Sequence, residues 1–268
     1  MAKRRLDAVL AERGLFDSRS RAAASVLAGE VRIGGDGRRA TKPGQLVAED
    51  AELHLDERPR YVSRGGIKLA NGLGSSGVDP AGRRCLDVGA STGGFTDCLL
   101  QAGAAHVVAL DVAYGELAWS MRTDSRVTVV ERTNARGIGG VGLPYAPDLI
   151  VVDVSFISLR TILGGVLATA AGRFDALALV KPQFELGRGR VGKGGVVRDP
   201  ADRREALVAV GEAALGLGVS VLGFHSSGLA GPKGNRETFV HLAEAGRGGA
   251  GGAGGVGVEE LALEVEPS

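Results

Sequence analysis

Between Cys85 and Asp111 the chain reads as strand, glycine-rich turn, helix, strand and terminal acid, an order few folds accommodate. The first run, Cys85-Leu86-Asp87-Val88, meets Gly89-Ala90-Ser91-Thr92-Gly93-Gly94, and a helix-like run from Phe95 to Ala102 follows. A glycine-rich bend between strand and helix lets backbone N–H groups approach a ligand closely at the helix N-terminus. The second strand-like run, His106 to Leu110, ends in Asp111. That acid stands 24 positions after Asp87, about where such folds hold ribose hydroxyls on a carboxylate. A cofactor carrying a nucleoside is expected here; the plainer alternative is a tight turn between two buried elements. The loop lacks G-x-G-x-x-G spacing, and Asp87 would repel phosphate, so a dinucleotide is less expected.

Further strands are expected at Val127 to Val130, Asp148 to Val152, Ala176 to Val180, Val219 to Phe224 and Thr238 to Ala243. The run ending at Val152 is apolar after its first residue, as a parallel strand buried on both faces would be. Helices are expected after Ser63, from Glu116, and from Asp199-Pro200 to about Leu215, the last with Pro in its first turn. This alternation predicts an α/β, doubly wound sheet. Ligands of such sheets bind beyond the C-terminal strand ends. Asp153 and Lys181 follow strands there, and Asn134 follows Val130, where it could meet an adenine edge. Lys68, standing alone, would be read as a snorkelling surface residue. Residues 186–198, LGRGRVGKGGVVR, hold Arg188, Arg190, Lys193 and Arg198 without an acid, which suits a phosphate backbone. Residues 246–268 form a Gly/Ala-rich tail expected to be disordered; within it only Val258 to Val265 has the make-up of a short helix.

The N-terminal stretch differs in character. The net charge of the 268 residues is +1, yet residues 1–42 carry ten Lys/Arg against five Asp/Glu, and residues 49–57 carry five acids and no Lys or Arg. Such asymmetry can mark a basic docking face. Leu6, Val9 and Leu10 predict a helix from Arg5 to Arg13 that Gly14 stops. Asp17 and Ser18 offer an N-cap for a second helix, Arg19 to Ala28. Val31-Arg32-Ile33 and Glu52 to Leu55 alternate like strands. Cys85 and Cys98 have neither metal nor redox spacing, and His54, His106, His225 and His241 are scattered, so no metal is expected. No run is long and apolar enough to span a membrane, and no signal core is seen. Aromatics make up 4%, so base stacking is not expected to dominate nucleic-acid contact.

Residues 3–58, with two helices and then G-x-V-R-I-G-G, resemble the alpha-L RNA-binding domain named for ribosomal protein S-four. There the second helix and following loop lie against RNA phosphates. The resemblance implies that Arg4, Arg5, Arg19, Arg21 and Arg32 form that face, with Lys42 contributing less; Arg64, Arg188, Arg190 and Lys193 are also expected to bind RNA. Lys68, Asp153, Lys181 and Glu237 resemble the K-D-K-E tetrad of FtsJ-like 2′-O-ribose methyltransferases. More broadly, VSRGGIKL, LDVGASTGGFTD, ALDVAYGELAWSMR, ERTNAR, VVDVSFISL, LVKPQFELGRG and GPKGNRETF resemble the TlyA family over residues 3 to about 244. Its members are ribosomal RNA cytidine 2′-O-methyltransferases, often labelled haemolysins.

The resemblance implies a Rossmann-like class I methyltransferase sheet over residues 63–245, joined through a linker at 59–62 to the S4-like α+β domain. It implies S-adenosyl-L-methionine as cofactor and ribosomal RNA or ribosomal subunits as partner, with a monomer acting in the cytoplasm, without metal or membrane. Asp87, Gly89, Ala90, Ser91, Thr92, Gly93 and Gly94 would wrap the methionine and ribose portions. Asp111 would take the ribose diol, and Asn134 and Asp153 would lie near the adenine and methyl ends. Lys181, held by Asp153 and Glu237, would be the base or orient the hydroxyl. Lys68 would lower the pKa of Lys181 or steady developing oxyanion charge. Three rivals compete: a nicotinamide oxidoreductase on the same fold, a non-catalytic ribosome-assembly binder, and a pore-forming cytolysin. The first leaves the basic domain and paired lysines unused; the last finds no spanning segment.

Overall fold

The computed structural model describes residues 3–27, 29–56, 59–231, 233–251 and 256–266, with the side chain of Arg188 also set aside. The chain divides into two units, Met1–Pro59 and Arg60–Ser268. The first contains β1 (Lys3–Arg5), α1 (Leu6–Glu12), α2 (Arg19–Leu27), β2 (Val31–Ile33), β3 (Arg38–Arg39), β4 (Leu46–Ala48) and β5 (Leu53–Leu55). β1 pairs with β4, and β2 lies between β3 and β5. The first helix starts at Leu6 because Arg5 is held in β1 opposite Leu46. Leu6, Val9 and Leu10 form a small core with Ala22, Val26, Val31 and Val47. The Ser18 hydroxyl accepts the Arg21 N–H at 3.2 Å and opens α2.

The second unit is α/β. In chain order it runs α3 (Gly65–Ser76), β6 (Arg84–Val88), α4 (Gly94–Gln101), β7 (His106–Leu110), α5 (Trp119–Arg122), β8 (Val127–Val130) and β9 (Leu149–Val152). It continues with α6 (Leu159–Leu167), β10 (Asp175–Val180), α7 (Pro182–Glu185), α8 (Pro200–Gly216), β11 (Ser220–Ala230), β12 (Arg236–Ala243) and α9 (Val258–Val265). The seven strands order as β11-β12-β10-β9-β6-β7-β8. From β10 to β8 they are parallel, while β12 is antiparallel to both β10 and β11. Successive side chains of a strand point to opposite faces. Accordingly Leu86, Ile150 and Val152 pack with α6, α8 and α9, whereas Cys85, Leu149 and Val151 pack with α3 and α4. The chain steps outward from β6 to β7 and β8, then returns to place β9 on the other side of β6. A crevice beyond the strand ends at such a switch point is where sheets of this kind take ligands.

Helices α6 and α7 were not expected. Helix α6 is additional; two glycines inside LRTILGGVL mask it, yet Ser158 caps it by accepting the Arg160 N–H. The tail, expected to be disordered but for a short helix at Val258 to Val265, holds that helix as α9, and its order comes from burial. Val258, Leu261 and Ala262 join the core beside α8, and Arg203 forms a two-pronged pair with Glu266, both bonds 2.7 Å. Ala250 bridges to Val221. Leu261→Ala should therefore cost about 2 kcal/mol of unfolding free energy in urea; unchanged stability would make α9 peripheral.

Candidate active site

The crevice begins where β6 turns. Gly89 adopts φ +88°, and a Cβ there would stand 2.6 Å from the Asp153 carbonyl oxygen, so the β6 turn and the end of β9 meet only through a glycine. Ser91 is also left-handed, at φ +46°. Its N–H donates to Asp111 Oδ2 at 2.7 Å and its hydroxyl to Glu116 Oε2 at 3.1 Å. Asp111 Oδ1 accepts the Ala113 N–H at 2.7 Å. The carboxylate thus sets the shape of the loop, and each oxygen keeps a further lone pair for a ligand.

Three cavities adjoin along this end of the sheet. The first, about 550 Å³, is lined by Gly89, Ser91, Asp111, Asn134 and Phe156 among others. Asn134 Oδ1 is occupied by the Arg136 N–H, which leaves its NH₂ as the donor group. The second, about 470 Å³, takes in Gly89, Ala90, Ser91, Thr92 and Gly94 together with Arg64, Lys68 and Lys181. The third, about 490 Å³, holds Lys68, Asp153, Lys181 and Glu237 with Gln183 and Phe184. Asp153 and Ser155 line all three.

The tetrad expected from sequence comes together, though not in the expected pairing. Glu237 binds Lys68, not Lys181, in a pair whose side chains are 10% and 2% exposed. Lys68 is therefore no snorkelling surface residue. The cause is the fold: α3 packs on β11, and β12 beside it carries Glu237. Lys181 lies 2.7 Å from Asp153 Oδ1 as an ion pair that does not meet the carboxylate in a hydrogen-bonding direction. It donates instead to Ser155 Oγ at 2.9 Å.

Asp87 and Gly93, expected to hold cofactor, line none of the three cavities. Gly93 is the left-handed residue before α4. Asp87 is fully buried; Oδ2 accepts the Thr96 hydroxyl at 2.7 Å, and Oδ1 has no partner. Burial pushes its carboxyl up from 3.8 to about 7. The fold thus favours its protonated form. Its contribution to stability is complete below about pH 4 and lost as pH rises through about 7. Asp87→Asn should flatten the decline in stability across that window, measured as denaturation midpoints from acid to neutral pH.

The basic residues expected on RNA are largely engaged in ion pairs. Arg4 pairs with Glu12 at 2.5 Å and Glu49 at 3.3 Å. Arg5 at 2.7 Å and Arg19 at 3.4 Å converge on the buried Asp7, whose carboxyl Arg5 chiefly holds below the usual range. Arg32 pairs with Asp56 at 2.6 Å, and Arg190 bonds Asp202 and Glu205. Arg64 donates to the Ala230 carbonyl at 3.1 Å. Arg21, Lys42 and Lys193 have no ion-pair partner among the described residues.

Ser155, Phe156, Gln183 and Phe184 also belong to the site but were not expected there. Phe156 is 92% exposed at φ +65°, with its ring centroid 5.3 Å from that of Phe184. Position alone could have found the first two, which follow Asp153 at the end of β9.

An FtsJ-like methyltransferase family model matches residues 61–244, and an S4 domain model matches residues 4–53. The chain is 51% identical over 245 residues to the 16S/23S rRNA (cytidine-2′-O)-methyltransferase TlyA of Mycobacterium tuberculosis, covering 90% of this chain and 91% of that one. It is 37% identical to Hemolysin A of Brachyspira hyodysenteriae, covering 89% and 99%. The solved structure of a candidate hemolysin from Streptococcus thermophilus matches with TM-score 0.70 and 36% identity, covering 98% of this chain and 96% of that one. The chain belongs to the TlyA family of FtsJ-like methyltransferases, with an S4 domain ahead of the methyltransferase sheet.

Proposed function

We propose that this protein transfers a methyl group from S-adenosyl-L-methionine to the ribose 2′-hydroxyl of a cytidine in ribosomal RNA, within ribosomal subunits in the cytoplasm. The large-subunit RNA is one substrate and the small-subunit RNA a second, in keeping with the relative named for both. The observation that carries this reading is a pair of lysines, each matched to a carboxylate, in a cavity that adjoins a glycine-lined one.

The residues fit the cofactor. Asp111 presents a carboxylate to a ribose diol, the Asn134 NH₂ can meet an adenine edge, and Gly89 to Gly94, apart from Gly93, line the path to the lysines. When bound, S-adenosylmethionine supplies an electrophilic methyl on a sulfonium, whose sulfur keeps the S–C electron pair on transfer. The ribose hydroxyl is a poor nucleophile until it is oriented and its proton is accepted. Lys181, standing where the second and third cavities share walls, accepts that proton at Nζ or holds the hydroxyl in line. Lys68, fixed by Glu237, faces the same space and steadies charge developing on the oxygen. Phe156 offers an exposed ring at the mouth, where a base can stack.

The test is transfer of labelled methyl from S-adenosylmethionine to purified subunits, followed by mapping of 2′-O-methyl sites. Label at a cytidine of either RNA supports the reading, and no label on either overturns it. The hemolysin name of one relative has no counterpart in a spanning helix: among the described residues none is long and apolar enough to cross a membrane.

A further inference from the structure

Lys181 has two neighbours at its Nζ, and they differ in kind. The Asp153 contact is electrostatic and off the hydrogen-bond direction; among the described residues, Ser155 Oγ is the acceptor that takes an Nζ hydrogen, at 2.9 Å. Ser155 is also one of two residues common to all three cavities, and the other is Asp153. Its place is set by the backbone. β9 ends at Val152, Asp153 N–H still donates to the Val88 carbonyl, and the chain then turns sharply through Phe156 at φ +65°. A left-handed aromatic residue is costly and persists only where its surroundings demand it. Here the turn leaves Ser155 and Phe156 exposed to the cavities.

The geometry points to Ser155 as the positioning residue of Lys181: its hydroxyl fixes the direction in which the amine presents its third valence to the ribose hydroxyl. This rests on the methyl-transfer reading above. A neutral amine has two N–H bonds and one lone pair, arranged tetrahedrally. With one N–H on Ser155 Oγ and the other drawn toward Asp153, the lone pair is left to point at the remaining direction, into the cavity. Without the Ser155 oxygen, the Cε–Nζ bond can rotate, and the lone pair spends part of its time facing elsewhere. A protonated amine is held in the same way, with its third N–H directed at the substrate oxygen. In either protonation state, Ser155 acts through Lys181 on rate and not on binding.

The experiment compares Ser155→Ala and Ser155→Thr with wild type in single-turnover methyl transfer to saturating ribosomal subunits. S-adenosylhomocysteine and subunit affinities are measured alongside. Loss of a hydrogen bond to a charged group predicts a rate about 10- to 100-fold lower for Ser155→Ala. Thr, which keeps the hydroxyl, should return the rate to within about threefold, and both affinities should stay near wild type. In a Lys181→Met background, Ser155→Ala should cost nothing further, because the residue it positions is gone. An undiminished rate in Ser155→Ala overturns the inference. So does a defect found in either affinity alone, or one that adds fully to Lys181→Met. Wild-type protein that transfers no methyl to either subunit overturns the functional reading, and this inference with it.

Discussion

Lys181→Met should lower the single-turnover rate of methyl transfer by roughly 100- to 10,000-fold, the range a positioned proton acceptor supplies. Affinity for S-adenosylhomocysteine should change little, because Asp111 and Asn134 line the first cavity, of which Lys181 is not a wall. The fold should survive as well. Asp153 Oδ1 is buried beside Lys181, but the side chain is 21% exposed and lines all three cavities, so water can reach the oxygen once the ammonium group is removed. Equilibrium dialysis and circular dichroism would establish both points beside the rate. Full transfer by the variant would remove Lys181 from the chemistry and make Lys68 the remaining candidate.

The second lysine should behave differently. Lys68 and Glu237 have side chains 10% and 2% exposed, so the carboxylate in particular has little water to fall back on. Lys68→Met leaves Glu237 charged, buried and unpaired, which typically costs about 3–5 kcal/mol. Glu237→Leu strands the lysine instead and should cost a similar amount. The double variant Lys68→Met/Glu237→Leu replaces both charges with apolar groups and should recover most of the lost stability, because a well-packed apolar pair is often as stable as the ion pair it replaces. It should nevertheless remain slow in methyl transfer. Urea denaturation of the four proteins gives the coupling directly. If the two single losses simply added in the double variant, the pair would not be an energetic unit. Lys181 and Lys68 thus separate by assay: one variant keeps its stability and loses rate, the other loses both.

Much of this was legible in the chain. The strands were, because each carries an apolar run bounded by turn residues, and five of them lie parallel and buried as the continuous runs required. The tetrad was visible as four residue types near strand ends. Their pairing was not, since it depends on β12 inserting between β10 and β11 and on α3 packing against β11, neither of which has a local signature. Ser155 was hidden for a related reason. A serine after a strand has many uses, and only the turn at Phe156 directs this one to Lys181. The ion pairs of the basic stretch near the N-terminus were not legible, because sequence shows an arginine's charge but not its partner. Arg5 pairs with Asp7 two residues on, and the packing of α1 and α2 brings Arg19 to the same carboxylate. In the tail, the helix Val258 to Val265 was legible, whereas the packing of Val258, Leu261 and Ala262 beside α8 was not.

The position of β12 has a consequence for the timing of synthesis. It is the last strand of the sheet in the chain, yet it lies inside the sheet, between β10 and β11. Its Glu237 completes a pair with Lys68, 169 residues earlier. A chain that has emerged only through β11 therefore lacks the strand that joins β11 to β10 and the carboxylate that pairs with Lys68. The sheet can be completed only once its last strand has been made.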